Sequence, residues 1–127
     1  RAGDTDELLL ATTPLLDLRG KLTLPQVAGA LARARACVTI DTGIMHLAYA
    51  TGVPTIALFG ASPVTVWAPK LPNLHILWQT ADCTLCLENR FRNDACLRDR
   101  HVCMESITPE MVYARLQQVL RPMAAVR

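Results

Sequence analysis

The chain has 127 residues, 51% of them hydrophobic and 19% charged, with a formal net charge of +2. That is one domain's worth of sequence, enough to bury a core without staples, and the balance excludes a disordered tail and a polyanion-binding surface. No uninterrupted apolar stretch of membrane-spanning length occurs and no basic-then-apolar signal opens the chain; the start at Arg1 rather than methionine predicts a segment cut from a longer protein.

In chain order, the first predicted element lies in "TLPQVAGALARARACVTI". Thr23 and Gln26 have capping-box spacing, and Leu24, Val27, Ala28, Leu31 and Ala34 recur at helical intervals, so a helix is expected over about residues 24–35. Cys37, Val38 and Ile40 then form a short β-branched-rich run, and after Gly52 "VPTIALF" is a second apolar run of buried-strand length. Both read as interior strands. The roughly 13 residues between them suffice for the crossover of a parallel, right-handed βαβ unit. Residues 43–51 are therefore predicted as a short helix with Gly52 as its stop.

This arrangement puts Asp41, Thr42 and Gly43 where the first strand ends and the helix begins. In open parallel sheets the ligand crevice lies outside the carboxyl ends of the strands, and a helix N-terminus there presents unpaired amides and about half a positive charge. Such a junction suits a phosphate: Gly43 permits close approach, Thr42 adds a hydroxyl, and His46 lies one turn into the helix. Asp41 would repel phosphate and is better suited to accepting hydrogen bonds from sugar hydroxyls or helix amides. Singly, Asp41 or Thr42 reads equally well as an N-cap and His46 as a packed histidine. Together the four residues point to an anion or nucleotide site and no further.

The stretch "GKLTLPQVAGALARARACVTIDTGIMHLAYATGVPTIALFG", followed by "SPVTVWAP", resembles the C-terminal half of the bacterial heptosyltransferases, glycosyltransferase family 9. The matching positions are Asp41, Thr42, Gly43, His46, Ala48, Gly52, Pro54, Phe59 and Gly60, with a looser match through "CMESITPEMV". The resemblance implies an α/β fold, a Rossmann-like parallel sheet with helices on both faces, forming the C-terminal half of a GT-B enzyme. Residues 1–127 would be its nucleotide-sugar-binding domain, with the N-terminal domain outside this chain.

On that reading Asp41, Thr42, Gly43 and His46 meet the diphosphate and sugar of the donor, typically ADP-heptose. The transfer is inverting, needs no metal at the diphosphate, and takes its general base from an aspartate of the N-terminal domain, so no catalytic residue is expected here and the segment alone is expected to be inactive. The acceptor is a lipopolysaccharide or related lipid-linked glycan, placing the protein in the cytoplasm at the inner face of the bacterial inner membrane. Ile44 stands where the family often has proline, Ala61 likewise, and no aspartate precedes Pro63; these departures line the donor side.

A second constellation is "DCTLCLENRFRNDACLRDRHVCM", within a cysteine-rich loop at 82–104. Cys83, Cys86, Cys96 and Cys103 have the spacing C-x2-C-x9-C-x6-C in a polar segment where no core needs them. A structural zinc site, with His101 as a substitute ligand, two disulfides, and free thiols are the open alternatives. Cys37, alone in a strand, reads as ordinary core. Arg90, Arg92, Arg98 and Arg100 alternate with Glu88, Asp94 and Asp99, so no continuous basic face results and no nucleic-acid partner is expected.

The last predicted helix starts in "ITPEMVYARLQQVLRP": Thr108 caps, Pro109 takes the first helical position, Ile107 staples to Val112, and Val112, Leu116, Val119 and Leu120 form one apolar face. Trp67 and Trp78 read as wall or core residues. Two functional readings follow. One is the donor-binding half of a glycosyltransferase; the alternative is a non-catalytic binding or assembly domain organised by the cysteine-rich loop.

Overall fold

In the computed structural model the described residues are 14–79, 83, 86, 92 and 95–121. Before the first helix, a tight turn is tied by Asp17, whose carboxylate accepts from the Arg19 guanidinium at 2.9 Å and from its backbone N–H at 3.0 Å. These bonds hold the Asp17 carboxyl well below the usual carboxylate range. Helix α1 (Leu24–Arg33) begins as its spacing predicts: the Gln26 side chain accepts from the Thr23 backbone N–H at 2.8 Å, and Pro25 sits in the first turn where its missing donor costs nothing.

Strand β1 (Cys37–Ile40), helix α2 (Gly43–Ala50) and strand β2 (Thr55–Phe59) form the expected βαβ unit, with Cys37 opposite Thr55 and Ile40 opposite Leu58 in parallel register. Gly52, at φ +85°, stops α2 in the left-handed region. A Cβ there would meet nothing within 4 Å, so its cost is backbone strain alone. Gly52→Ala is expected to destabilise by about 1–2 kcal/mol, read as a lower urea midpoint at unchanged slope.

After β2 come the short helix α3 (Val64–Trp67), strand β3 (Leu74–Trp78), the short helix α4 (Val102–Glu105) and helix α5 (Pro109–Leu120). β3 pairs parallel with β2, giving a sheet of order β1-β2-β3 whose strands all end at one edge. Asn73 fixes the entry to β3: its side-chain amide donates to the Tyr49 carbonyl at 2.9 Å, while its own carbonyl accepts from the Thr55 N–H at 2.7 Å.

Side chains alternate across the sheet, and each face has its own cover. Ala57, Phe59 and Leu74 pack with Met45 of α2, joined by Tyr49, Val64, Ala68, Ile76 and Trp78. On the opposite face lie Ile56, His75 and Leu77, where Arg115 of α5 approaches His75. Helices thus flank both faces of a parallel sheet, a Rossmann-like α/β arrangement. α5 starts as predicted, the Thr108 hydroxyl accepting from the Met111 N–H at 3.4 Å.

β2 is the interior strand expected, but β1 is not: Val38 is 46% and Ile40 53% exposed. Among the described residues β1 is an edge strand, and Val38 and Ile40 share the face of Ile56 and His75 but lie beyond the part of it that α5 covers. Cys37, on the face that packs against α2, is half-buried rather than core, and burial pushes its thiol pKa up.

Burial, followed by the positive charge of Arg115, lowers the pKa of His75 below its ordinary value of 6.5. The unfolded chain therefore binds more protons as pH falls below 6.5, and folding stability drops with it until the folded histidine is itself protonated. The loss in melting temperature between pH 8 and pH 5 should be smaller in His75→Gln than in the unsubstituted protein.

Candidate functional site

Asp41, Thr42, Gly43 and His46 lie between the end of β1 and the first turn of α2. The Asp41 amide donates to the Leu58 carbonyl at 3.2 Å, which continues the ladder by one residue and sets the carboxylate at the strand-end edge of the sheet. Thr42 is the N-cap of α2 in extended conformation, its carbonyl accepting from Met45 at 3.0 Å. Its hydroxyl makes no cap bond and turns back to the Ile40 carbonyl at 3.5 Å. The N-cap reading thus holds for the Thr42 backbone and not for its side chain, which is exposed.

Gly43 opens the helix with an exposed backbone, and a Cβ added to it would meet nothing within 4 Å. The space beside the Gly43 Cα is therefore open, and the Gly43 and Ile44 amides have no helical carbonyl to receive them. Met45 and Ala48 on the inner side of the same helix are fully buried and anchor it to the sheet. A fixed helix with an open, electropositive start can receive an anion without rearranging.

His46 is neither loose nor core. Its Nδ1 lies 2.7 Å from the Tyr49 hydroxyl, one helical turn on, and its ring meets Tyr49 and Trp67 edge-on, with centroids 5.5 and 6.5 Å away. When the tyrosine O–H donates to Nδ1, the proton resides on Nε2, which can then donate to an anionic oxygen. Trp67, on α3, is 50% exposed and forms one wall beside the histidine. Trp78 is half-buried instead, its indole N–H donating to the Gly60 carbonyl at 3.3 Å. The role of Tyr49 was not predicted, although its i,i+3 spacing from His46 was legible; that of Asn73, 24 residues from its partner Tyr49, had no local signal.

The second constellation also converges. Cys83, Cys86, Cys96 and Cys103 all line one cavity of about 250 Å³, together with Ala61, Arg100 and His101. Cys96 lies 3.5 Å from the Arg100 carbonyl, and Arg100 pairs with Glu105. Burial pushes the Cys103 thiol pKa up, with neighbouring Cys86 and Cys83 adding to the shift. All five cysteines are unbridged, and among the described residues no three His, Cys, Asp or Glu groups stand in a metal-holding arrangement. Arg92 and Arg98 are exposed; Arg90, Glu88 and Asp94 lie outside the described residues.

The two constellations share one edge of the sheet. Gly60 and Ala61 directly follow β2, and a Cβ on Gly60 would lie 2.8 Å from the Met104 sulfur and 3.7 Å from the Cys103 sulfur. The cysteine cavity thus abuts the loop that leaves the strand beside the Asp41 junction.

Comparison with known proteins agrees with this arrangement. The family model for glycosyltransferase family 9 (heptosyltransferase) matches residues 5–96. Lipopolysaccharide heptosyltransferase 1 of Pseudomonas aeruginosa is 34% identical over 110 residues, covering 79% of this chain and 31% of the relative. Lipopolysaccharide heptosyltransferase 3 of Escherichia coli is 33% identical over 67 residues, 53% of this chain and 20% of the relative. Lipooligosaccharide heptosyltransferase 2 of Haemophilus influenzae is 29% identical over 105 residues, 83% of this chain and 29% of the relative. The chain spans less than a third of the length of these relatives, and no solved structure gives a significant match. With the matched region covering the parallel sheet and the Asp41–His46 junction, the chain belongs to glycosyltransferase family 9, the heptosyltransferases.

Proposed function

We propose that this chain is the donor-binding domain of an inverting glycosyltransferase that transfers heptose from ADP-heptose to a lipopolysaccharide or related glycan. The observation that carries this reading is the open start of α2 at the end of β1, with His46 in its first turn and fixed by the Tyr49 hydroxyl. The names of the relatives supply the sugar; the ADP moiety and the inversion come from the family resemblance.

Each residue then has a role. The diphosphate lies before Gly43, where the first amides of α2 and the Thr42 hydroxyl donate to its oxygens. His46 donates from Nε2 to the same oxygens, and the Asp41 carboxylate accepts from hydroxyls of the transferred sugar. In the transfer the acceptor hydroxyl attacks the anomeric carbon, the bond to the diphosphate oxygen breaks, and charge grows on that oxygen. Donors already fixed around it lower the barrier by stabilising that charge. The base that takes the acceptor proton is placed on an N-terminal domain outside this chain, across a two-domain cleft. The protein works in the cytoplasm at the inner face of the inner membrane; among the described residues no helix is long and apolar enough to cross a membrane.

Calorimetric titration with ADP and ADP-heptose, beside GDP and UDP, tests the reading. Only the adenine compounds are expected to bind well. His46→Ala should weaken ADP binding about tenfold, the loss of one charge-assisted hydrogen bond, without lowering the melting temperature. Equal affinity for all nucleotides, or unchanged affinity in His46→Ala, would contradict it.

A further inference from the structure

None of Asp41, Thr42, Gly43 and His46 lines the cysteine cavity, and its composition asks for a separate explanation. Its thiols come from three places along the chain: Cys83 and Cys86 three residues apart, Cys96 ten residues on, and Cys103 in α4. Three stretches of the chain are thus brought to a single cavity with four sulfurs in its wall. A hydrophobic centre would explain one or two of them. Here Arg100 and His101 line the same wall, and the flanking residues 95 and 97–100 are exposed.

We infer that Cys83, Cys86, Cys96 and Cys103 bind a single zinc ion. Zinc takes four thiolates tetrahedrally at about 2.3 Å, and a C-x2-C pair can supply two adjacent ligands from one tight turn. On binding, four S–H bonds are replaced by four Zn–S bonds and four protons go to solvent; nothing is oxidised or reduced. Neutral thiols gain nothing by converging on one point, so they stand around the cavity wall until a cation draws them in. The resulting centre carries two negative charges, and Arg100, which also pairs with Glu105, lines the same wall.

The ion would also fix the candidate donor loop. Met104 and Cys103 bear directly on Gly60, so ligation of Cys103 pins α4 against the residue that leaves β2. The metal would therefore act as a clasp on the sheet edge while taking no part in transfer.

The test is metal analysis of the protein purified without chelators from zinc-supplemented cells. About one zinc per chain is expected, released by a mercurial thiol reagent and detected with a chromogenic chelator. Replacement by cobalt should give thiolate-to-cobalt charge-transfer bands and the strong visible bands of tetrahedral coordination. Cys96→Ser should lose the zinc or hold it more weakly, while Cys37→Ser and His101→Ala retain it. If Cys96→Ser does not fold, cobalt titration of the unsubstituted protein decides. Less than about a tenth of an equivalent of zinc after reconstitution, with the four thiols all reactive, would overturn the assignment. Disulfides between these cysteines in the freshly purified protein would overturn it as well.

Discussion

Phe59→Ala is expected to lower stability by about 3–5 kcal/mol, the range for removing a buried aromatic side chain. Among the described residues Phe59 is the largest fully buried side chain, on the last residue of the central strand, in contact with the cluster of Met45, Ala57 and Leu74. Small neighbours such as Ala57 cannot move in to fill the void, because the parallel ladder on both sides of β2 holds the backbone in place. Since a domain of this size is stable by only about 5–15 kcal/mol, such a loss is a large share of the whole. Urea denaturation followed by circular dichroism measures it. A change below about 1 kcal/mol would mean that the cluster collapses around the gap and that Phe59 does not anchor the sheet.

Gly43→Val is expected to have the opposite profile, leaving the fold intact and damaging the site. The added Cβ meets no protein atom within 4 Å and the position needs no left-handed backbone, so stability should change by no more than about 0.5 kcal/mol. In the proposed donor complex, however, that space holds the diphosphate. The branched side chain would push the phosphate oxygens out of reach of the first amides of α2, costing one or two charge-assisted hydrogen bonds and about 10- to 100-fold in ADP affinity. Thermal melting and calorimetry on the same sample separate the two effects. A variant that binds ADP normally would show that the ligand approaches elsewhere.

Much of the site-bearing unit was legible in the sequence because its signals are local. The β-branched run at 37–40, the apolar run at 53–59 and Gly52 between them specify β1, α2 and β2 within 23 residues, and with them the Asp41 junction. Thr23 with Gln26, and Thr108 with Pro109, mark two helix starts by chemistry confined to one turn. Legibility ended where a property depends on distant neighbours. Val38 and Ile40 read as interior because they are apolar, yet their exposure depends on which element covers the sheet, and periodicity carries no such information. The contact of Gly60 with Met104, 44 positions later, is invisible for the same reason. So is the Asn73 link to Tyr49. The spacing of the cysteines left zinc, disulfides and free thiols open, and only the fold shows that all four face one cavity.

The sheet order β1-β2-β3 also bears on how the chain acquires its shape. Each strand pairs with the next one in the chain, so no pairing has to wait for a distant partner and the loop-closure cost of every step is small. A chain emerging from the ribosome can add one strand at a time, with α2 and then α3 laid down before the strand that follows. α5 arrives last, yet it covers the face carrying His75, and α4 must close over Gly60. Until both are made, apolar side chains on that face stay open to water and to other chains. Synthesis truncated before residue 102 should therefore give a sheet-containing but aggregation-prone product.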